Sequence, residues 1–279
     1  MANTINLVTK FQPLLDEVYQ AASLTSDLEN SAVKFDGSKT VKVLKLTVPA
    51  LGTYTRNTGY TAGDVTADWE AFTLEQDRGT EFSVDAMDDE ETLNMTFGNA
   101  SSEFIRRSVV PQVDAYRFAK MAGAEGVGSA SAAITTGEAA IKAIGVGMTA
   151  MDEAEVPAEG RILYITPTLK GLIDELDSYK SKACLQRFAK IVIVPQSRFY
   201  SGVTIDDKGF KKAEGAVNLN FEIVEPKAAF AVAKHKKLRV FDPDTNQKRD
   251  DYLFQYRLYH DMFVYPQKAA GIYVHKSTT

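Results

Sequence analysis

A mixed α+β fold is predicted by three stretches of this chain. Residues 85–122 open with Asp85, Asp88, Asp89, Glu90 and Glu91 and then place Phe97, Phe104, Ile105, Val109, Val113, Phe118 and Met121 at near-helical steps. After Gly160, short apolar runs alternate with helical ones, the pattern of an α/β layer. Leu253–Val264 alternates apolar and polar residues, with Phe254, Tyr256, Leu258, Met262 and Val264 on one face and Gln255, Arg257, Tyr259 and Asp261 on the other. That strand is long enough to serve two layers.

The long helical stretch is the strut of the chain. Gly98 is tolerable inside it, whereas Pro111 removes a backbone donor and crowds the preceding turn. Two readings remain open: one helix of roughly 30 residues bent near Pro111, or two helices meeting there. Phe104, Ile105, Val109 and Phe118 are its expected core contacts, packed under the chain's own sheet.

Taken in order, residues 1–37 are polar with sparse apolar positions, and Leu14, Leu15, Val18 and Tyr19 suit a short amphipathic helix. They read as an arm, dispensable for folding, that lies on something else. Residues 38–84 read as an extended β projection. Strands are expected at 41–48, 69–76 and 80–84, with a tight connection at Gln76-Asp77-Arg78-Gly79. Residues 49–68 hold Pro49, Gly52, Gly59 and Gly63 and are too long for an internal loop. Tyr54, Tyr60 and Trp69 in or beside this stretch either cap the chain's own core or contact a partner, with Asp64 and Asp68 beginning an acidic run.

Gly123–Ser131 is a soft, small-residue stretch, and Thr136 caps a core helix to about Ala154. A strand at 161–165 precedes a helix that Thr166-Pro167 opens and that runs to about Leu176. Further strands are expected at 190–194, 217–224, 228–234, 237–241 and 271–275.

The chain has 279 residues, 44% hydrophobic and 25% charged, which suits a folded protein with a sizeable core. The net charge of −5 does not advertise nucleic-acid binding. It is unevenly spread: Asp64–Glu91 is strongly acidic, and the last third is weakly basic. That asymmetry suits contact between copies of one chain, or simply two solvated faces. Cys184 is the single cysteine, so no intrachain disulfide forms and a reducing compartment fits. No run of about 18 apolar residues and no signal-peptide pattern is present.

Catalytic and ligand motifs fail on inspection. His235, His260 and His275 lack metal-ligand spacing, and Lys234, Lys236 and Lys237 surround the first of them. Asp242-Pro243-Asp244-Thr245-Asn246 mimics a calcium loop, but Gln247 and Leu253 occupy the glycine and glutamate positions, so a turn with Asx bonds is expected. No phosphate loop or nucleophile elbow occurs, and Cys184 has no histidine nearby in sequence. Lys234, Lys236, Lys237 and Arg239 read as a solvated or interchain face. No cofactor, metal or catalytic residue is expected.

Several runs, in their order, resemble one family. They are Gln76–Gly79 followed by Phe82 and Asp85; Val109–Phe118; Val194-Pro195-Gln196-Ser197-Arg198-Phe199-Tyr200; Phe241–Asn246; Tyr256–Asp261; and Gly271–His275. Together they resemble the major capsid protein of tailed bacteriophages, the Hong-Kong-97-type fold, over nearly the whole chain. The resemblance implies an N-terminal arm over 1–37, an extended β-hairpin loop over 38–84, a peripheral domain with a spine helix over 85–158 and 236–262, and an α/β axial domain over 159–235 and 263–279. It implies a non-enzymatic virion subunit that forms hexamers and pentamers of an icosahedral shell around double-stranded DNA, assembled in the bacterial host cytoplasm. The DNA is contacted non-specifically, and no membrane partner is implied. A portal and decoration proteins are implied partners. The short stretch before the first strand implies a separate scaffolding protein. Phe11, Tyr54, Tyr60, Asp64, Asp68 and Trp69 are the candidate inter-subunit contacts. The lysine–asparagine crosslink of some relatives is not carried over, because Lys42 and Lys45 lie at the base of the projection and not at its tip. A shell protein of an encapsulin-like nanocompartment, or an α/β enzyme of unknown reaction, are the alternatives.

Overall fold

A computed structural model describes residues 18–19, 22–30, 35–37, 39–57, 59–60, 62–87, 96–176, 178–246 and 250–278. Phe11 and the acidic residues 88–91 lie outside the described residues. The described part is mixed α+β, as the sequence predicts.

β1 (Phe35–Asp36), β2 (Thr40–Thr47) and β3 (Thr66–Thr73) form one three-stranded sheet. β2 and β3 are antiparallel from Thr40↔Thr73 to Thr47↔Thr66, so residues 48–65 cross between them at the far end. β4 (Gln76–Asp85) leaves this hairpin and pairs with β12 (Asp251–Val264), which pairs in turn with β11 (Ala229–Phe241). The connection expected at Gln76–Gly79 is therefore corrected: the chain turns at Leu74 and Glu75, and Gly79 sits inside β4 opposite Arg257. A Cβ at Gly79 would lie 3.1 Å from the Tyr256 carbonyl oxygen, so the glycine permits close strand approach and not a turn. Likewise the strands predicted at 228–234 and 237–241 are one strand, interrupted only by a register shift between Ala233 and His235.

The long helix is continuous across its described length. α1 (Thr96–Phe104) passes into a π-helical turn (Ile105–Val109) and then α2 (Val110–Ala122). The Pro111 ring crowds the carbonyl four residues back, at Arg107. The wider turn relieves it, with the Val110 N–H donating to the Ile105 oxygen.

β5 (Gly128–Ser131), β6 (Ile162–Ile165), β7 (Lys190–Ile193), β10 (Leu219–Val224) and β13 (Ile272–Lys276) make a five-stranded sheet in the order β5-β13-β10-β6-β7. β10 is antiparallel to both neighbours, while β5 and β7 run parallel to theirs. α3 (Gly137–Glu153), α4 (Pro167–Glu175) and α5 (Tyr179–Leu185) cover one face. Thr136 caps α3, its hydroxyl accepting from the Ala139 N–H. Thr166 stands at the corresponding position of α4, but its side chain makes no capping bond. The backbone of α3 approaches so closely at Gly147 that a Cβ there would lie 2.6 Å from the Tyr273 ring. The sequence reading missed β5 and the hairpin of β8 (Val203–Asp206) and β9 (Gly209–Lys212), whose turn signal is Asp206–Gly209.

The long helix joins two cores. Ile105, Val110 and Val113 pack with Leu238, Phe254, Tyr256 and Leu258 under the β11-β12-β4 sheet. One to three turns further on, Phe118, Met121 and Ala122 pack on Ile162, Tyr164, Val224, Ile272 and Val274 of the five-stranded sheet. Of the four expected core residues, Ile105 and Phe118 are fully buried, while Phe104 and Val109 are partly buried against the first cluster.

β12 departs from its predicted two-faced pattern. Tyr259 and Asp261 are buried although they lie on the face read as polar. The reason is the hairpin base: the Tyr259 hydroxyl donates to the Leu74 carbonyl (2.9 Å), and Asp261 accepts the Glu75 N–H (2.8 Å) and the Tyr116 hydroxyl (2.9 Å). Among the described residues, no helix is long and apolar enough to cross a membrane.

Candidate functional site

Two surfaces of this chain stand out: the exposed hairpin, and the seam where the N-terminal segment meets the long helix. The hairpin base has a core of its own. Val41, Leu74, Phe230, Val232 and Tyr259 are buried there, and Phe72 meets the rings of Phe263 (5.1 Å), Phe230 (5.6 Å) and Tyr265 (6.4 Å). Beyond that base the hairpin is exposed. Leu44 and Trp69 face each other across the β2–β3 ladder, and Leu46 lies on the same face two residues on.

Leu46 is 57%, Trp69 64% and Tyr60 90% exposed. The large exposed apolar side chains number twelve among the described residues, and eight of them (Leu44, Leu46, Val48, Leu51, Tyr54, Tyr60, Val65 and Trp69) belong to this hairpin. Such a concentration is not ordinary scatter. Near the tip, Thr55 bridges Gly59 and the Tyr54 and Tyr60 rings meet at 5.0 Å. These two aromatics thus partner each other, while Trp69 stands apart on β3. Asp64 and Asp68 are exposed, Asp68 opposite Lys45. Sequence reasoning found the aromatics and missed the aliphatics. The available signal was β2 itself, where Val41, Val43, Leu44 and Leu46 put apolar residues on both faces.

The second surface is sealed. Asp114 on α2 is fully buried and accepts from Thr25 Oγ1 (2.7 Å), Ser23 Oγ (3.2 Å) and the Leu24 N–H (3.1 Å). Arg117, one turn on, donates to Thr25 Oγ1 (2.9 Å) and Glu29 Oε1 (2.8 Å), and Tyr19 donates to the same Glu29 oxygen (3.3 Å). Arg198 lies 3.6 Å from Asp114. Burial pushes the Asp114 carboxyl up, opposed by the Thr25 and Leu24 bonds and by Arg117 and Arg198. Leu28 enters the main core, and Glu29 bridges Ala231 of β11. The expectation that residues 1–37 form a dispensable arm is therefore corrected for Tyr19 and residues 22–30, which belong to the subunit's core. Their polar sequence misled because buried charges, Asp114 and Arg117, hold them in addition to the apolar contacts of Tyr19 and Leu28.

Among the described residues, no group of three or more His, Cys, Asp or Glu could hold a metal. Burial pushes His260 down to about 3, with Arg117 adding to the shift, and His275 Nδ1 lies 3.0 Å from Asn220 Nδ2. Burial raises the Cys184 thiol. The Thr245 and Asn246 N–H groups both donate to the Asp242 carbonyl at 3.0 Å, as in a closed turn. Lys234 and Lys236 lie over the Phe35 and Tyr19 rings of their own subunit, so only Lys237 and Arg239 of that basic cluster face outward. 

Solved structures align with this chain over most of its length. The asymmetric unit of the bacteriophage PhiM1 mature capsid aligns with a TM-score of 0.60 at 13% identity, over 88% of this chain and 83% of that one. The chain has the phage-capsid fold. The capsid of Myoviridae phage XM1 aligns with a TM-score of 0.59 at 12% identity over 92% of each chain. A virus-like particle from Pyrococcus furiosus aligns with a TM-score of 0.62 at 11% identity, over 97% of this chain and all of that one. No protein-family model matches the sequence, and no curated protein matches it. The helix from α1 to α2 stands where the spine helix is expected, and the β2–β3 hairpin where the extended loop is expected.

Proposed function

We propose that this chain is the major structural subunit of a bacteriophage shell, non-enzymatic, assembling through hexamers and pentamers into an icosahedral container for double-stranded DNA. The observation that carries the reading is the extended loop: a capsid fold whose unpartnered apolar surface is concentrated on one projecting hairpin. A projection of this kind cannot bury itself, and a neighbouring copy supplies the missing cover. Leu44, Leu46 and Trp69 form the apolar contact, with Tyr54 and Tyr60 at the tip and Asp64 and Asp68 meeting cations of the next copy. The apolar contacts carry most of the energy, because exposed ion pairs contribute about 1 kcal/mol or less.

In this reading the peripheral domain comprises 85–158 and 236–262, and the axial domain 159–235 and 263–279. A scaffolding protein, a portal and decoration proteins act with the shell, which is assembled in the host cytoplasm. Shortening residues 52–63 to a tight turn tests the proposal. The expected result is a folded subunit that forms no particles by electron microscopy. Closed shells of normal stability from the shortened protein would overturn it.

A cellular nanocompartment of encapsulin type is the second reading. It is favoured by the alignment with the Pyrococcus particle along that chain's whole length. Purified particles that hold double-stranded DNA support the phage shell, whereas particles that hold only protein support the compartment.

A further inference from the structure

Glu222 occupies the middle of β10, the central strand of the five-stranded sheet. It shares a face with Val224, two residues on, and that face is the one the spine helix covers. The residue is fully buried, and neither carboxyl oxygen has a hydrogen-bond partner among the described residues. Its cross-strand neighbours are Val274 on β13 and Tyr164 on β6. Tyr164 is also fully buried, its hydroxyl has no partner either, and its ring meets Phe118 of α2 at 5.1 Å.

Among the described residues no cation pairs with Glu222. Asp114 and Arg117 on α2 and Asp27 in the N-terminal segment act on the neighbouring Tyr164, and Arg198, in the turn after β7, lies beside Asp114. Arg117 bonds Thr25 and Glu29, and Lys190 pairs with Asp27. From β13, His275 stacks on Phe221 at 5.0 Å and so belongs to the opposite face. An ionised carboxylate in such a place costs far more than a protonated one.

We propose that Glu222 is a neutral carboxylic acid in the folded subunit, and that its ionisation loosens the seam between spine helix and sheet as pH rises. Burial alone drives its carboxyl well above the usual carboxylate range. The unfolded chain therefore gives up this proton first. Stability is full below the unfolded value of about 4.3 and declines with rising pH until the folded group ionises. The seam is the contact between the rigid helix and the axial sheet, so the pH dependence belongs to the joint between the subunit's two cores. This holds for the folded subunit whether or not it builds a shell.

The test uses the full chain, wild type and Glu222→Gln, with Glu222→Leu as a second variant should the amide fail to fold. Infrared difference spectra at neutral pH should show the carbonyl band of a protonated carboxyl in the wild type that both variants lack. Denaturation midpoints from about pH 5 to about pH 8 should fall for the wild type relative to either variant. Absence of that band, or parallel pH dependences in wild type and variant, overturns the proposal.

Discussion

Residues 22–30 and residues 44–69 look alike in sequence: each mixes hydroxyl side chains, serine and threonine in the first and threonine in the second, with scattered apolar residues. The fold treats them in opposite ways. The first is sealed onto the spine helix by Asp114 and Arg117, with Thr25 and Leu28 fully buried. The second holds most of the large exposed apolar side chains. Polarity along the chain therefore does not distinguish a segment that belongs to the subunit from one that is left bare. What distinguishes them is whether the body offers matched partners. α2 offers two buried charges to the first segment, and among the described residues nothing covers the outer face of the hairpin beyond its aromatic base.

The comparison can be broken at its strongest point. Deleting residues 18–30 should abolish the cooperative unfolding transition altogether, because it orphans both Asp114 and Arg117 and opens the core at Leu28. A deleted protein that still melts in one sharp transition would show the segment to be an arm after all. Asp114→Ala should cost about 3–5 kcal/mol, since it leaves Arg117 and Arg198 with less counter-charge in a buried site. Denaturant titration of the subunit measures that loss, and a change under about 1 kcal/mol would remove the charge lock from the account.

Smaller effects sharpen the distinction. Thr25→Val removes a hydroxyl that donates to Asp114 and accepts from Arg117, for an expected loss of about 1–3 kcal/mol. Its unfolding midpoint should fall between those of Asp114→Ala and wild type. On the hairpin, Leu46→Ser with Trp69→Ser should change subunit stability by only about 0.5 kcal/mol, because both side chains already face solvent. Particle yield in electron micrographs should nevertheless collapse. A double variant that loses subunit stability but still assembles would invert the roles assigned to the two regions.

How much of this was legible beforehand can be read from single elements. The spine helix was legible because Ile105, Val113 and Phe118 repeat at helical steps, and β12 because its alternation is long. The hairpin was legible as a projection, and Tyr54, Tyr60 and Trp69 as exposed aromatics. The π-turn before Pro111 was half legible: the proline announces a disturbance but not which turn absorbs it. Gly79 was misread because glycine permits both a turn and a close strand, and only the partner strand chooses between them.

The sequence by itself determined the mixed α+β class, the long helix, the long return strand and the projecting hairpin, because those depend on periodicity within one segment. Only the tertiary structure decided that residues 22–30 are seated on the core, that Tyr259 and Asp261 clamp the hairpin base, and that Glu222 is buried with no partner among the described residues. Each of these depends on a contact between residues far apart in the chain, such as Thr25 with Asp114 or Asp261 with Glu75. Periodicity reports which side of an element is apolar. It cannot report which distant charge or hydroxyl will meet a polar side chain once the layers close.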